Sequence, residues 1–409
     1  MRRTERSREL HFLNRPLPLL ALIAAMLTSA AAATVLVPGG NHSGENHSGE
    51  DHSDENLAGI DLSDANLKGT DLSRSDLSDA LMDNIDLSNA FLDDAIFGRA
   101  SMIGAKLQNA QGTNASFDDA DLTNASFKLG DFTGTSFDSA NLTNANLQQG
   151  VFQSGIFRAA TLDGALMKQG NFQGADFTDS SLVTADLRDG NFTDADFSGA
   201  DLTQAILDKG IFQNAIFDGS ILVEASLKQG DFTGADFDSA DLTNANLEQG
   251  NFGFVSFHRA TLDGAQMKQG DFQEADFTDA SLVLADLTQA SFVDAVFEGA
   301  NLADAILRQA DLSGADLTDA NLDGADLLDA DFSGGIVFGV DFTDTLNLST
   351  ANFTGTFYDA TTVIDPSIVD LAIMIFVPEP NSGFLMLTGL SLLAAYSRRR
   401  HSRSIPRTR

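Results

Sequence analysis

Residues 161–179 read TLDGALMKQGNFQGADFTD, and a near copy, TLDGAQMKQGDFQEADFTD, returns at residues 261–279. In both copies an apolar side chain occupies every fifth position, beginning in the first copy at Leu162. The same period runs from Leu57 to Phe342, where 52 of the 58 positions are Leu or Phe and four are Met. A period of five kept over this length is a tandem repeat, so chain length does not predict a number of globular domains.

A second regular position lies two residues before each apolar one and holds a small residue, as at Ala175 and Ala325. An α-helix cannot use this spacing, because five steps of about 100° carry the apolar position about 140° around the helix. Extended backbone can use it, since side chains alternate between two faces and both regular positions then point inward. The remaining residues of each unit must turn the chain. The pattern therefore predicts an all-β solenoid in which each unit is one short edge and one corner.

A longer period in the same positions predicts the size of the coil. From residue 130 to residue 270 the small position is Gly at every twentieth residue. After each of these Gly residues, the next two apolar positions are Phe and the following two are Leu or Met. Residues 131–190 also match residues 231–290 at 41 of 60 positions, a shift of five such blocks. We therefore expect a four-sided coil of twenty residues, with two internal Phe columns and Gly making room for the rings.

The units, such as Ala315-Asp316-Leu317-Thr318-Asp319, resemble those of the pentapeptide-repeat family. The resemblance covers about residues 57–362 and implies a right-handed quadrilateral β-helix of about 15 coils of 20 residues. At a strand spacing of about 4.8 Å such a solenoid is roughly 70 Å long. We interpret the Phe columns as core rather than as an aromatic ligand site, because apolar stripes are usually core.

The first 33 residues have the layout of a secretory signal peptide. Five Arg occur within residues 1–15, an apolar stretch follows at 17–27, and small residues fill 29–33. This order predicts export with cleavage after Ala32 or Ala33. An uncleaved N-terminal anchor is the alternative, although the apolar stretch is short for a membrane span.

The last residues, 377–409, resemble a PEP-CTERM sorting signal. Pro378-Glu379-Pro380 precedes an apolar stretch at 383–395 and the cluster Arg398-Arg399-Arg400. The resemblance implies processing by an exosortase-like membrane enzyme in a Gram-negative bacterium, with the cell envelope or extracellular matrix as destination. The tail at 401–409 departs from that pattern, and a plain membrane anchor is the alternative. The chain is then expected to meet membrane only through its terminal segments.

Two segments border the repeat. Residues 34–56 contain NHSGENHSGEDHSDE, where His takes the apolar position and Glu would take the small inward one. Because a core does not tolerate unpaired carboxylates, we expect a disordered linker rather than a metal-binding tract, although metal binding stays open. At the other end the repeat shifts by one residue near 343–348, and the apolar residues within 363–376 are expected to cap the last coil.

Composition limits the function. Residues 1–33 carry a net charge of +3 and residues 381–409 carry +6, so the stretch between them carries −35 − 3 − 6 = −44. Such a surface disfavours binding to nucleic acid or anionic membrane. The chain has no Cys, and only His258 lies in the repeat, so we expect no catalytic site, metal site or cofactor. The sequence favours a non-enzymatic exported structural or binding rod. An acidic DNA-mimic inhibitor of a topoisomerase and a calcium- or surface-binding solenoid are the alternatives.

One row of cations shares a single edge of the predicted solenoid, because its members differ by multiples of twenty. With Lys68, the row comprises Lys128, Lys168, Arg188, Lys228, Lys268 and Arg308. A row of Gln, from Gln149 to Gln309, runs beside it, and stacked amides can hydrogen-bond along the axis. The row is interpreted either as charge balance on an acidic surface or as a stripe that grips an anionic polymer such as extracellular polysaccharide.

Overall fold

The structure is a computed structural model that describes residues 35–378. The chain divides at Val37–Pro38 into two compact units, and the repeat lies in the second unit. The expected signal peptide lies outside the described residues, as does the expected sorting signal except for Val377 and Pro378. Within residues 35–378, no helix has the length and apolar character needed to cross a membrane.

The repeat forms a solenoid of stacked coils. Parallel bridges join residues twenty apart, from Asn41↔Asp61 to Asp326↔Leu346. Around Phe192 the pattern is typical: its amide donates to the Ile211 carbonyl of the next coil at 2.7 Å, and the Ile211 amide donates back to Gly190 at 2.9 Å. The predicted coil of four units and twenty residues is therefore confirmed.

Each unit turns in the same way, as residues 196–200 illustrate. Phe197 and Ala200 are buried, and Gly199 between them has a φ of 66°, a left-handed conformation that disfavours most side chains. The Asp196 carboxylate accepts hydrogen bonds from the amide (2.9 Å) and hydroxyl (2.5 Å) of Ser198, which holds the corner. Asp or Asn holds this first position in many of the described units, as at Asp201 and Asp241, so part of the negative charge serves the turns.

Two stacked columns of Phe fill the core. The ring centroids of Phe172 and Phe192 lie 4.9 Å apart, and those of Phe177 and Phe197 lie 4.8 Å apart. In both pairs the angle between the ring planes is 2°. A Cβ placed on Gly190 would lie only 2.6 Å from Phe192 Cε2. The predicted columns and the space-making role of Gly are both confirmed, and the rings are fully buried as core.

The expected disordered linker at 34–56 is wrong for most of its length. Residues 41–56 form regular units that bridge to the next coil, and His47 and His52 point inward and are buried. The sequence favours disorder here because Glu side chains that point inward would be unpaired carboxylates in a core. Glu50 instead lies within hydrogen-bond distance of both His47 and His52, and its side chain keeps 33% of its surface exposed. Among the described residues, this coil bridges to a neighbouring coil on one side only, and its interior is polar.

The C-terminal end departs from the regular coil where the sequence predicted a shift. The bridge separation rises from twenty residues to twenty-one at Asp331↔Asn352, and a 3₁₀ helix at Leu348–Thr350 takes up the extra residue. Strand β1 (Phe357–Tyr358) pairs in parallel with strand β2 (Ile375–Phe376), and a second 3₁₀ helix spans Leu371–Ile373. Part of the expected cap at 363–376 therefore extends one wall of the solenoid.

Candidate binding edge and polar terminal coil

The cation row lies at the corner position of its units, and because each coil holds twenty residues, its members share one edge. Carboxylates accompany most of these cations. The ion pairs are Lys168–Asp189 (3.6 Å), Arg188–Asp186 (2.6 Å), Lys228–Glu248 (3.1 Å), Lys268–Asp286 (3.0 Å) and Arg308–Asp326 (2.7 Å). Among the described ion pairs none involves Lys128. The row is therefore a mixed-charge edge rather than a continuous positive stripe.

The ion pairs shift the pKa values of the groups that form them. The Arg188 guanidinium, which donates two hydrogen bonds to Asp186, lowers the pKa of that carboxyl below its usual value. The bond to Asp286 in turn raises the pKa of Lys268. The cation side chains nevertheless keep 37–53% of their surface exposed, so water and a dissolved ligand can reach them.

A ladder of Gln amides runs along the same edge, as the sequence predicted. The Nε2 of one residue donates to the Oε1 of the residue one coil further at 2.8–3.1 Å. The pairs are Gln149–Gln169, Gln229–Gln249, Gln249–Gln269, Gln269–Gln289 and Gln289–Gln309. The unbroken part, which we call the amide ladder, spans Gln229–Gln309.

Shallow grooves lie between the cation row and the amide ladder. One is lined by Glu248, Gln249, Lys268, Gln269, Thr288 and Gln289, and another by Asp208, Lys209, Lys228, Gln229, Glu248 and Gln249. Each ladder amide uses one N–H along the axis, which leaves its second N–H and an oxygen lone pair for an outside partner. The edge can therefore offer donors, acceptors and charges at the repeat of the coil.

The second polar feature is the interior of the first coil, where His and Glu alternate. Glu45 Oε2 lies 3.0 Å from His42 Nδ1 and 3.2 Å from His47 Nε2. Glu50 Oε2 lies 2.8 Å from His47 Nδ1 and 3.0 Å from His52 Nε2. We call this row the His–Glu ladder; it ends at Glu55, 3.3 Å from His52 Nδ1.

The next coil supports this ladder from below. The hydroxyl of Thr70 donates to the His47 carbonyl at 2.9 Å, and that of Ser75 donates to the His52 carbonyl at 2.6 Å. The hydrogen bond to His47 lowers the pKa of Glu50, so that carboxylate is ionised near neutral pH. The sequence carried a signal for this pairing, since His and Glu recur three residues apart in three successive units.

Comparisons with known proteins identify the family of the repeat. The family model described as pentapeptide repeats matches in eight copies, over residues 55–111, 115–153 and 156–344. No curated protein matches the chain. Among solved structures, it is similar to HetL, a pentapeptide repeat protein involved in heterocyst differentiation regulation from the cyanobacterium Nostoc sp. strain PCC 7120. The two chains are 26% identical, and the match covers 60% of this chain and 89% of HetL with a TM-score of 0.24.

Two further structures are similar over parts of the chain. Rfr23, a pentapeptide repeat protein from the cyanobacterium Cyanothece 51142, is 32% identical over 24% of this chain and 64% of its own, with a TM-score of 0.19. QnrB1, a plasmid-mediated fluoroquinolone resistance protein in a trypsin-treated form, is 15% identical over 71% of this chain and 96% of its own, with a TM-score of 0.19.

Proposed function

This chain belongs to the pentapeptide-repeat family, and we propose that it is an exported, non-enzymatic rod that binds extracellular polysaccharide along the edge formed by the cation row and the amide ladder. The right-handed quadrilateral coil implied by the family is part of this proposal. So are the terminal signals, which would carry the chain to the envelope or matrix of a Gram-negative bacterium through an exosortase-like enzyme.

The observation that carries the proposal is the amide ladder beside the row of exposed cations. Successive hydrogen bonds hold Gln229–Gln309 in register, so the same groups recur once per coil along one edge. A polymer with regularly spaced hydroxyl and carboxylate groups can make equivalent contacts with successive coils. Many weak contacts along one chain then add through effective concentration.

The ion pairs set the expected strength and salt dependence of this binding. Exposed ion pairs contribute only about 0–1 kcal/mol each, so a carboxylate of the polymer can replace Asp189 as the partner of Lys168 at little cost. The net acidity of the rod opposes a polyanion at long range and keeps binding weak, and salt weakens the contacts between the polymer carboxylates and the exposed cations. We therefore expect weak, multivalent binding that falls as salt increases.

The test is retention of the full chain on an immobilised polyuronate at low salt. Changing Lys168, Arg188, Lys228 and Lys268 together to Gln should abolish the retention while circular dichroism and the melting temperature stay close to those of the parent. A neutral polysaccharide resin run in parallel measures the contribution of the amides alone.

A matched control removes the same amount of charge from other edges. Arg74, Arg99, Arg158 and Arg259 lie on other edges of the coil, and the first two pair with Asp54 and Asp79 at 2.7 Å. Changing these four to Gln should leave retention unchanged. Equal loss in both variants, or no retention of the parent at low salt, contradicts the proposed edge.

The DNA-mimic alternative is favoured by one observation, the columns of Asp that follow the described coils. Many of these carboxylates already hold a turn, as Asp201 does with the amide and hydroxyl of Thr203 at 2.9 and 2.6 Å. This structural role accounts for their number without a DNA-binding partner. Inhibition of DNA gyrase supercoiling by the purified chain would favour the mimic; we expect none.

A further inference from the structure

We propose that the first coil binds one divalent transition-metal ion of the zinc type through His47 Nδ1, a Glu50 oxygen and His52 Nε2. This inference is independent of polysaccharide binding, because the His–Glu ladder lies inside the first described coil and the amide ladder begins at Gln229. It concerns a region for which the sequence favoured a disordered linker.

The three candidate ligand atoms already lie close to the spacing that a metal requires. Glu50 Oε2 is 2.8 Å from His47 Nδ1 and 3.0 Å from His52 Nε2, and the three residues each offer a ligand atom within 4.8 Å of the other two. Bonds of about 2.0–2.1 Å in a tetrahedral site place ligands about 3.3 Å apart. Small side-chain movements would therefore admit the ion. Two His and one Glu leave a fourth position for water, as in catalytic zinc sites.

Counting protons explains why a cation suits this ladder. His47 faces a carboxylate with each ring nitrogen, Glu45 at 3.2 Å and Glu50 at 2.8 Å. Both contacts are hydrogen bonds only if the ring carries two protons, because a carboxylate is an acceptor and a neutral imidazole has one N–H. A metal ion at Nδ1 takes the place of the second proton. His52, between Glu50 and Glu55, has the same arrangement.

The ladder contains a second group of three possible ligands, His42, Glu45 and His47. The contacts of the ring nitrogens that do not bind the metal favour the group His47, Glu50 and His52. With the ion between His47 and His52, the remaining nitrogen of each ring faces a carboxylate, Glu45 at 3.2 Å and Glu55 at 3.3 Å. Such carboxylate–histidine–metal contacts orient the ring and strengthen its binding. Among the described contacts, none places a carboxylate at Nε2 of His42. His47 belongs to both groups, so we expect one ion per chain.

The site is also held in place before any ion arrives. Both His47 and His52 are buried, and their carbonyls accept the hydroxyl bonds from Thr70 and Ser75. Glu50, with 33% of its side chain exposed, provides the route from solvent. Ligands fixed by the fold lose little conformational freedom on binding.

The experiment titrates the full chain with Zn²⁺ against a chromophoric chelator and repeats the titration with Co²⁺, whose visible absorption reports ligand number and geometry. One equivalent should bind with a tetrahedral Co²⁺ spectrum. His52→Gln and Glu50→Gln should each weaken binding by more than about a hundredfold, beyond the effect of losing an outer contact. In the parent chain, Zn²⁺ should shift the ¹⁵N resonances of His47 Nδ1 and His52 Nε2, which tests the site without substitution.

Two controls separate this site from its rivals. His42→Gln removes a ring of the same ladder, and His258→Gln removes the one His outside it within the repeat; both should leave the affinity nearly unchanged. Loss of binding in His42→Gln with retention in His52→Gln would overturn the assignment in favour of the other group. Equal affinity in all variants, or unshifted His resonances in the parent, would show adventitious binding to surface carboxylates and overturn the proposal.

Discussion

The first coil and the central coils share one backbone but have opposite interiors. The central coils stack fully buried rings, as at Phe172 and Phe192, whereas residues 41–56 fill the same inward positions with the His–Glu ladder. The bridges continue unchanged at a separation of twenty residues across both regions. Corner conformation and backbone hydrogen bonds therefore define the coil, and the same coil accepts either an apolar or a polar interior.

The largest effect is expected from a charge placed in a central coil. Phe192→Asp buries an unpaired carboxylate and breaks a stacked column, so it should lower the free energy of unfolding by several kcal/mol. Thr193→Asp, at the outward neighbouring position, should change it by less than about 1 kcal/mol. Urea denaturation followed by circular dichroism compares the two; equal losses would contradict the inward and outward positions.

A deletion tests whether the coil, rather than the unit, is the structural module. Removal of residues 171–190 takes out one whole coil and should leave a shorter folded rod, since neighbouring coils present equivalent edges. Removal of residues 171–180 sets Phe columns on Leu columns and should lower the melting temperature further. Indistinguishable melting curves would show that the order of the columns does not matter for stability.

Substitutions at two glycines compare two roles of this residue. Gly190 leaves space for a Phe ring, and Gly199 forms a left-handed corner. Gly190→Ala puts a Cβ 2.6 Å from Phe192 Cε2, and such overpacking typically costs about 1–3 kcal/mol. Gly199→Ala meets an Asp179 oxygen at 2.6 Å, at the end of an exposed side chain that can move, so its cost should be mainly the strain at a φ of 66°, about 1 kcal/mol. Chemical denaturation of both variants ranks them; a larger loss for Gly199→Ala would contradict the packing argument.

The smallest effect concerns one ion pair on the binding edge. Arg188 lowers the pKa of Asp186, so the pair contributes stability above the unfolded value of about 3.9, and this is lost as the pH falls through the lower folded value. Arg188→Gln should raise the pKa of Asp186 and move this loss to higher pH. Carboxyl NMR titration of parent and variant measures it. Arg99→Gln, which removes a cation from another edge, should leave the Asp186 titration in place.

Local sequence information was sufficient for the central coils. The period of five, the Gly at every twentieth position and the Phe columns each reflect contacts between a residue and its equivalent one coil away. In a repeat protein, residues that contact each other across neighbouring coils lie a fixed number of residues apart, so the contacts appear in the sequence as a period. The amide ladder and the shift after residue 343 were predictable for the same reason, and the bridges and hydrogen bonds confirm both.

The sequence by itself thus determined the unit, the coil and the columns, because stacked coils turn a period along the chain into neighbours in space. Only the tertiary structure decided how the buried and charged polar side chains are partnered. Glu50 is tolerated inside the first coil because His47 and His52 flank it within hydrogen-bond distance. Most of the cation row is paired with carboxylates because long side chains such as Arg308, which reaches Asp326 in the next coil, can extend to them, a choice of rotamer that no sequence period encodes.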